Sequence, residues 1–194
     1  MKKAKTWLGV LLFLVIAVAA VVIFILPVLS DTAPGGPKLS FGGPETCQLG
    51  GSLEEFNAAG FYMGEDVQNH SFSGHRAERD FQVYLSADRA QSCGSGQLMN
   101  KGDGYKSGRE CMVYSFSLRL EDGGHMTCNG TEILGNTQDA IRAALGQPAE
   151  TYSDSDLYRY SKSGRTYNFR LYIDEAGICT SLSAYQDDPN ISFY

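Results

Sequence analysis

ILGNTQDAIRAALGQPAETY, residues 133–152, decides how the fold of this chain is read. A β-branched start ends in Gly135, a polar cap follows, one short helix runs, and Gly146-x-Pro148 stops it. Ala140, Ile141, Ala144 and Leu145 recur at helical spacing and form a narrow apolar stripe. Three strands are expected after it: LYRYSK (157–162), RTYNFRLYI (165–173) and ICTSLSAYQ (178–186), separated by Ser163-Gly164 and DEAG (174–177). A two-residue turn pairs Lys162 with Arg165, Tyr160 with Tyr167 and Tyr158 with Phe169. A four-residue turn pairs Ile173 with Ile178, Leu171 with Thr180 and Phe169 with Leu182.

These registers collect Tyr158, Tyr160, Tyr167, Phe169, Leu171, Ile173, Ile178 and Leu182 on one face. The helix stripe is the expected cover for that face, because two half-apolar elements bury their surfaces against each other. The opposite face carries Arg159, Asn168, Arg170, Tyr172, Cys179, Ser181, Ser183 and Tyr185. Arg and Tyr combine large contact area with polar tips and are enriched at binding hot spots. Arg159, Asn168, Arg170, Tyr172 and Tyr185 are therefore the candidate partner-binding residues.

Upstream, TCQLGGSLEEFNAAGF (46–61) repeats the same logic of extended segment, glycine turn and short helix. Ser52 and Glu55 stand at capping-box spacing, Leu53 and Phe56 share a face, and Gly60 ends the helix. Residues 64–79 show no periodicity and read as loop, followed by a strand over 81–86. Residues 92–110 read as mostly loop with one brief strand. CMVYSFSLRL (111–120) alternates cleanly, with Met112, Tyr114, Phe116, Leu118 and Leu120 on one side. EDGG (121–124) is the expected hairpin turn, with HMTC returning so that Cys128 lies opposite Ser117.

The N-terminus reads differently. From Trp7 to Leu29 no charge interrupts WLGVLLFLVIAVAAVVIFILPVL, and roughly 20 apolar residues suffice to cross a bilayer. Lys2, Lys3 and Lys5 precede it, so the positive-inside rule expects a single-pass anchor in the cytoplasmic membrane with an extracytoplasmic C-terminal domain. A cleaved signal is the alternative, but its apolar core is usually only about 7 to 15 residues long. The expected organisation is a cytoplasmic stub and transmembrane helix (1–29), a Gly/Pro-rich linker (30–45), a first α+β unit (46–130), a second (131–186) and a tail (187–194).

The run ILGNTQDAIRAALGQPAETY, followed by YRY, YNFRLYID and GICTSLSAY, resembles the small bacterial envelope domains of the SmpA/OmlA (BamE) group and the related β-lactamase-inhibitor-protein-like fold. The shared pattern is a glycine, a polar cap, a short helix ending in Leu-Gly-x-Pro, and a meander with a glycine turn. It covers residues 131–186, and the earlier segment resembles a degenerate first copy. The resemblance implies an α+β class with two tandem helix-plus-antiparallel-meander units, and a scaffold or protein-binding role without catalysis. No lipobox cysteine is present, since Cys47 lies well beyond the apolar run.

The chain has 16 basic and 22 acidic residues; without the three N-terminal lysines, 13 basic residues face the 22 acidic ones, a balance of −9. Such a surface opposes nucleic acid, which is bound through clustered Lys and Arg. Five cysteines suit an oxidising compartment, yet the count is odd and no two are spaced as C-x-x-C. His70, His75 and His125 show no ligand spacing. Asp154 and Asp156 lack the glycine and closing glutamate of a calcium loop. No catalytic, metal or cofactor residues are assigned. The expectation is a membrane-anchored, extracytoplasmic binding module of the cell envelope, held by residues 7–29 and engaging another envelope protein in assembly, sensing or inhibition. The alternatives are an envelope hydrolase using a Cys or His group, and a purely structural domain.

Overall fold

Apolar or aromatic residues alternate with polar ones along the longer strand segments, 111–119 and 157–186 among them, and such a pattern suits a half-buried antiparallel sheet. The computed structural model describes residues 35–74, 76–162 and 164–187, the side chains of 76–80 excepted. In chain order the strands are β1 (Gly35–Ser40), β2 (Cys47–Leu49), β3 (Tyr62–Met63), β4 (Ser71–Phe72), β5 (Arg76–Tyr84), β6 (Gly94–Asn100) and β7 (Lys106–Ser107). They continue as β8 (Met112–Arg119), β9 (Thr127–Cys128), β10 (Thr131–Glu132), β11 (Glu150–Thr151), β12 (Ser155–Lys162), β13 (Arg165–Ile173) and β14 (Cys179–Asp187). Three short α-helices accompany them among the described residues: α1 (Leu53–Ala58), α2 (Glu65–Asn69) and α3 (Gln138–Leu145).

An eight-stranded sheet runs β11-β12-β13-β14-β8-β6-β5-β3, and a four-stranded sheet runs β10-β9-β1-β2. The stretches expected as two separate units therefore meet in one sheet, joined where β14 pairs with β8. This corrects the α+β class with tandem helix-plus-meander units: the described residues are mostly antiparallel sheet. The cause lies at residues 121–128. EDGG does turn, with Gly123 and Gly124 donating to the Leu120 and Arg119 carbonyls. HMTC then leaves β8 and joins β1 in the smaller sheet, Cys128 standing beside Leu39 rather than opposite Ser117.

The capping box of α1 is formed as expected: the Glu55 amide donates to Ser52 Oγ, and the Ser52 amide to Glu55 Oε2. Helix α3 is capped by Thr137, but only Ile141 of its stripe is buried and Leu145 half-buried, while Ala140 and Ala144 are exposed. The aromatic face is instead covered largely by the small sheet. A β-carbon added to Gly36 would stand 3.5 Å from Phe169 Cε2. Leu39, Leu49, Phe169, Leu171 and Leu182 share one buried cluster. Phe41, Phe56, Phe61 and Phe116 form its aromatic centre, with ring centroids 5.1–6.0 Å apart. Part of the Gly/Pro-rich stretch 30–45 thus belongs to the folded body, through β1 and Phe41.

Among the described residues no helix is long and apolar enough to cross a membrane. This corrects the expected architecture of a transmembrane helix followed by an extracytoplasmic domain. The signal-anchor and the single-pass placement in the cytoplasmic membrane are thus not supported by the described residues; residues 7–29, on which both were placed, lie outside them.

Candidate functional site

Side chains alternate across a strand, so the face of the large sheet turned away from the aromatic core is composed by register alone. The β12–β13 register is the one expected from the turn: Lys162 with Arg165, Tyr160 with Tyr167, Tyr158 with Phe169. The β13–β14 register differs. Ile173 stands opposite Cys179 and Tyr172 opposite Ser181, so Thr180 bulges, and beyond it Leu171 faces Leu182 and Phe169 faces Ala184. The slip totals two residues beyond the bulge, which restores parity, so the two-face assignment survives there. Cys179 is the exception among the face residues: it is buried in the core. Ile178, expected on the core face, is half-buried and bridges Thr137.

Three rows result on the polar face. One runs Arg159, Asn168, Tyr185, Ser115 and Gln97 across five strands. The next runs Leu157, Arg170, Ser183, Ser117 and Ser95, with the last two hydroxyls 3.0 Å apart. The third holds Tyr172, Ser181 and Arg119. All five candidate residues therefore share one face, joined by Tyr152, Glu150, Ser95, Ser117 and Arg119, which the sequence reading did not group with them. Tyr152 and Glu150 could have been found from their i, i+2 spacing directly before β12.

Arg and Tyr concentrate at the β11–β13 end. Arg159 pairs with Glu150 at 2.6 Å, and the Tyr152 hydroxyl donates to the same carboxylate. The Tyr152 hydroxyl, then the Arg159 guanidinium, hold the Glu150 carboxyl below the usual carboxylate range. That same hydrogen bond pushes the Tyr152 phenol up. The Arg170 guanidinium lies over the Tyr152 ring, 4.7 Å from its centroid. Asn168 is only 2% exposed, and its Nδ2, like Arg170 Nε, is buried without a hydrogen-bond acceptor among the described residues. A buried donor left unsatisfied costs roughly 1–3 kcal/mol.

At the other end of Tyr172's row an open groove of about 330 Å³ is lined by Arg119, Leu120, Glu121, Thr180 and Ser181. Leu120 is 38% exposed in it, whereas Phe116 and Leu118, expected on the same side of the strand, are buried. Among the described residues, exposed large hydrophobics are Tyr105, Leu120 and Tyr152, and two of these border the polar face.

The remaining chemistry-bearing residues stay apart from this face. All five cysteines are buried. Burial pushes the Cys93 thiol up to about 11 and those of Cys128 and Cys179 to about 12; Cys47 is raised too. A thiol so held stays protonated at neutral pH, the weakly nucleophilic form. His125 contacts the Phe41 carbonyl at 2.8 Å, and His70 packs edge-on against Phe72. His75 lies outside the described residues. Asp156 is buried and ion-paired to Arg142. Among the described residues no three His, Cys, Asp or Glu side chains come together to hold a metal ion. No protein-family model, curated protein or solved structure matches the chain.

Proposed function

We propose that this chain is a non-catalytic protein-binding module whose partner docks on the polar face of the eight-stranded sheet. The observation that carries the reading is the composition of that face. Arg159, Arg170, Tyr172, Tyr185 and the exposed Tyr152 line one end, a serine row crosses the middle, and Leu120 sits in a groove at the margin. Interface cores and hot spots favour Tyr and Arg, so the Arg- and Tyr-rich end of the face, rather than the serine row, is where the affinity is expected to lie. The resemblance of residues 131–186 to the SmpA/OmlA group, whose members are scaffolds or binding modules, points the same way.

A photo-reactive amino acid placed at Ser183, in the middle row, tests the reading in cells. The same group at Glu54, exposed on α1, is the control. A reproducible adduct at Ser183 and none at Glu54 is expected. Adducts equal at both positions, or at neither, would remove this face as the binding surface.

A further inference from the structure

The charge and hydrogen-bond accounts of the polar face are both incomplete, and at the same place. Glu150 is the carboxylate at its β11–β13 end, and it is engaged by Arg159 at 2.6 Å and by the Tyr152 hydroxyl. Among the described residues no ion pair engages Arg170, whose guanidinium is steered by the Tyr152 ring instead. Two guanidiniums share one carboxylate, which leaves a surplus positive charge on Arg170. Two residues away on the same strand and face stands Asn168, 2% exposed, with Nδ2 buried and unsatisfied; Arg170 Nε is unsatisfied likewise.

Both orphaned groups are donors, so what completes them is an acceptor, and the unpaired charge makes that acceptor an anion. The geometry points to Arg170 and Asn168 as the anchor subsite for an Asp or Glu side chain of the partner protein. This inference rests on the reading of the face as a protein-binding surface. A carboxylate is acceptor-only and planar, and it matches the guanidinium fork with capacity left for one amide donor. A polyanion fits poorly. Arg119 and Arg159 are already paired with Glu121 and Glu150, the neighbouring rows are serines, and the whole chain carries a net charge of −6. Nucleic acid needs several free cations rather than one.

The test uses the full-length ¹⁵N-labelled chain and two blocked tripeptides, acetyl-Gly-Glu-Gly-amide and acetyl-Gly-Gln-Gly-amide, with inorganic phosphate as a third probe. The glutamate peptide should shift the Arg170 Nε–H and Asn168 side-chain amide signals progressively towards saturation, while the glutamine peptide leaves them in place. Arg170→Gln should weaken the response at Asn168 by at least about tenfold. No movement of either signal, equal movement with the glutamine peptide, or movement by phosphate that matches the glutamate peptide would overturn the assignment. If the peptide fails while the Ser183 adduct persists, the subsite is wrong and the docking face stands. If the adduct is absent, the face itself is wrong, whatever the peptide does.

Discussion

The guanidinium of Arg142 grips the carboxylate of Asp156 at two points, Nε to Oδ2 and Nη2 to Oδ1, each at 2.7 Å. Arg142 comes from α3 and Asp156 from β12, so this bridge fixes a helix that contributes little apolar surface to the sheet it caps. The Asp156 side chain is 2% exposed and that of Arg142 26%.

That pair makes stability depend on acid in a definite direction. Burial raises the Asp156 carboxyl, but the Arg142 guanidinium outweighs it and holds the group below its ordinary value. A depressed folded-state value stabilises the protein above the unfolded value of about 4, and this contribution is lost as pH falls through the folded value. Removing one partner of a buried pair costs about 3–5 kcal/mol, and the partial exposure of Arg142 places Asp156→Asn at or below the lower end. Thermal melts from pH 7 to pH 2 should show the variant less stable at neutrality, with the difference closing below about pH 4. A difference constant across that range would contradict the depressed value.

Gly94 is required by a close approach of backbones. A β-carbon there would stand 1.8 Å from the Ser117 carbonyl oxygen and 3.1 Å from Leu118 Cα, and neither atom can swing away as a side chain could. Gly94→Ala should force β6 from β8 and cost about 3 kcal/mol or more, beyond ordinary overpacking. Gly104→Ala, with nothing within 4 Å, should stay within about 0.5 kcal/mol of the parent. Denaturant unfolding of the two variants measures the contrast, and similar midpoints would show that the β6–β8 spacing is wrong.

The fold class is not legible in the sequence, but local elements are where spacing alone determines geometry. A two-residue connection between Lys162 and Arg165 predicts the β12–β13 register, and the Ser52–Glu55 spacing predicts a capping box that forms. What escaped has physical causes. The β6 segment reads as loop because GSGQ lacks apolar alternation, yet its glycines are what let neighbouring strands and Met63 approach. β1 was hidden in a Gly/Pro-rich stretch, although Leu39 and Phe41 are fully buried. The Thr180 bulge has no sequence signature, but a two-residue slip preserves parity, so the residues expected together on that face share it, apart from Cys179. The grouping of Glu150 and Tyr152 with Arg159 and Arg170 is not legible in the sequence because it depends on β11 pairing back onto β12.

Tyr158 carries a hydroxyl that is buried without a hydrogen-bond partner among the described residues, and burial pushes its phenol up to about 12. Deleting an unsatisfied buried polar group removes a desolvation cost of roughly 1–3 kcal/mol while the ring keeps its packing. Tyr158→Phe should therefore match or exceed the parent in melting temperature. A clear loss of stability would reveal a partner for that hydroxyl.

The five thiols offer a direct check on the core. All are buried, and burial raises Cys47, Cys93, Cys128 and Cys179 well above neutrality. Iodoacetamide at neutral pH should label the native chain slowly and the denatured chain at five positions, as mass spectrometry would count. Rapid labelling of any one in the native state would place it at the surface.

The central claim is that the partner is held by the polar face of the sheet, and its most direct test is the affinity of the captured partner for the double variant Arg170→Ala, Tyr172→Ala. Neither residue belongs to the buried core cluster, so the melting temperature should stay close to that of the parent. Hot-spot truncations cost about 2 kcal/mol or more, so titration calorimetry should find binding weakened by at least about thirtyfold. An unchanged dissociation constant for the folded double variant would contradict the account.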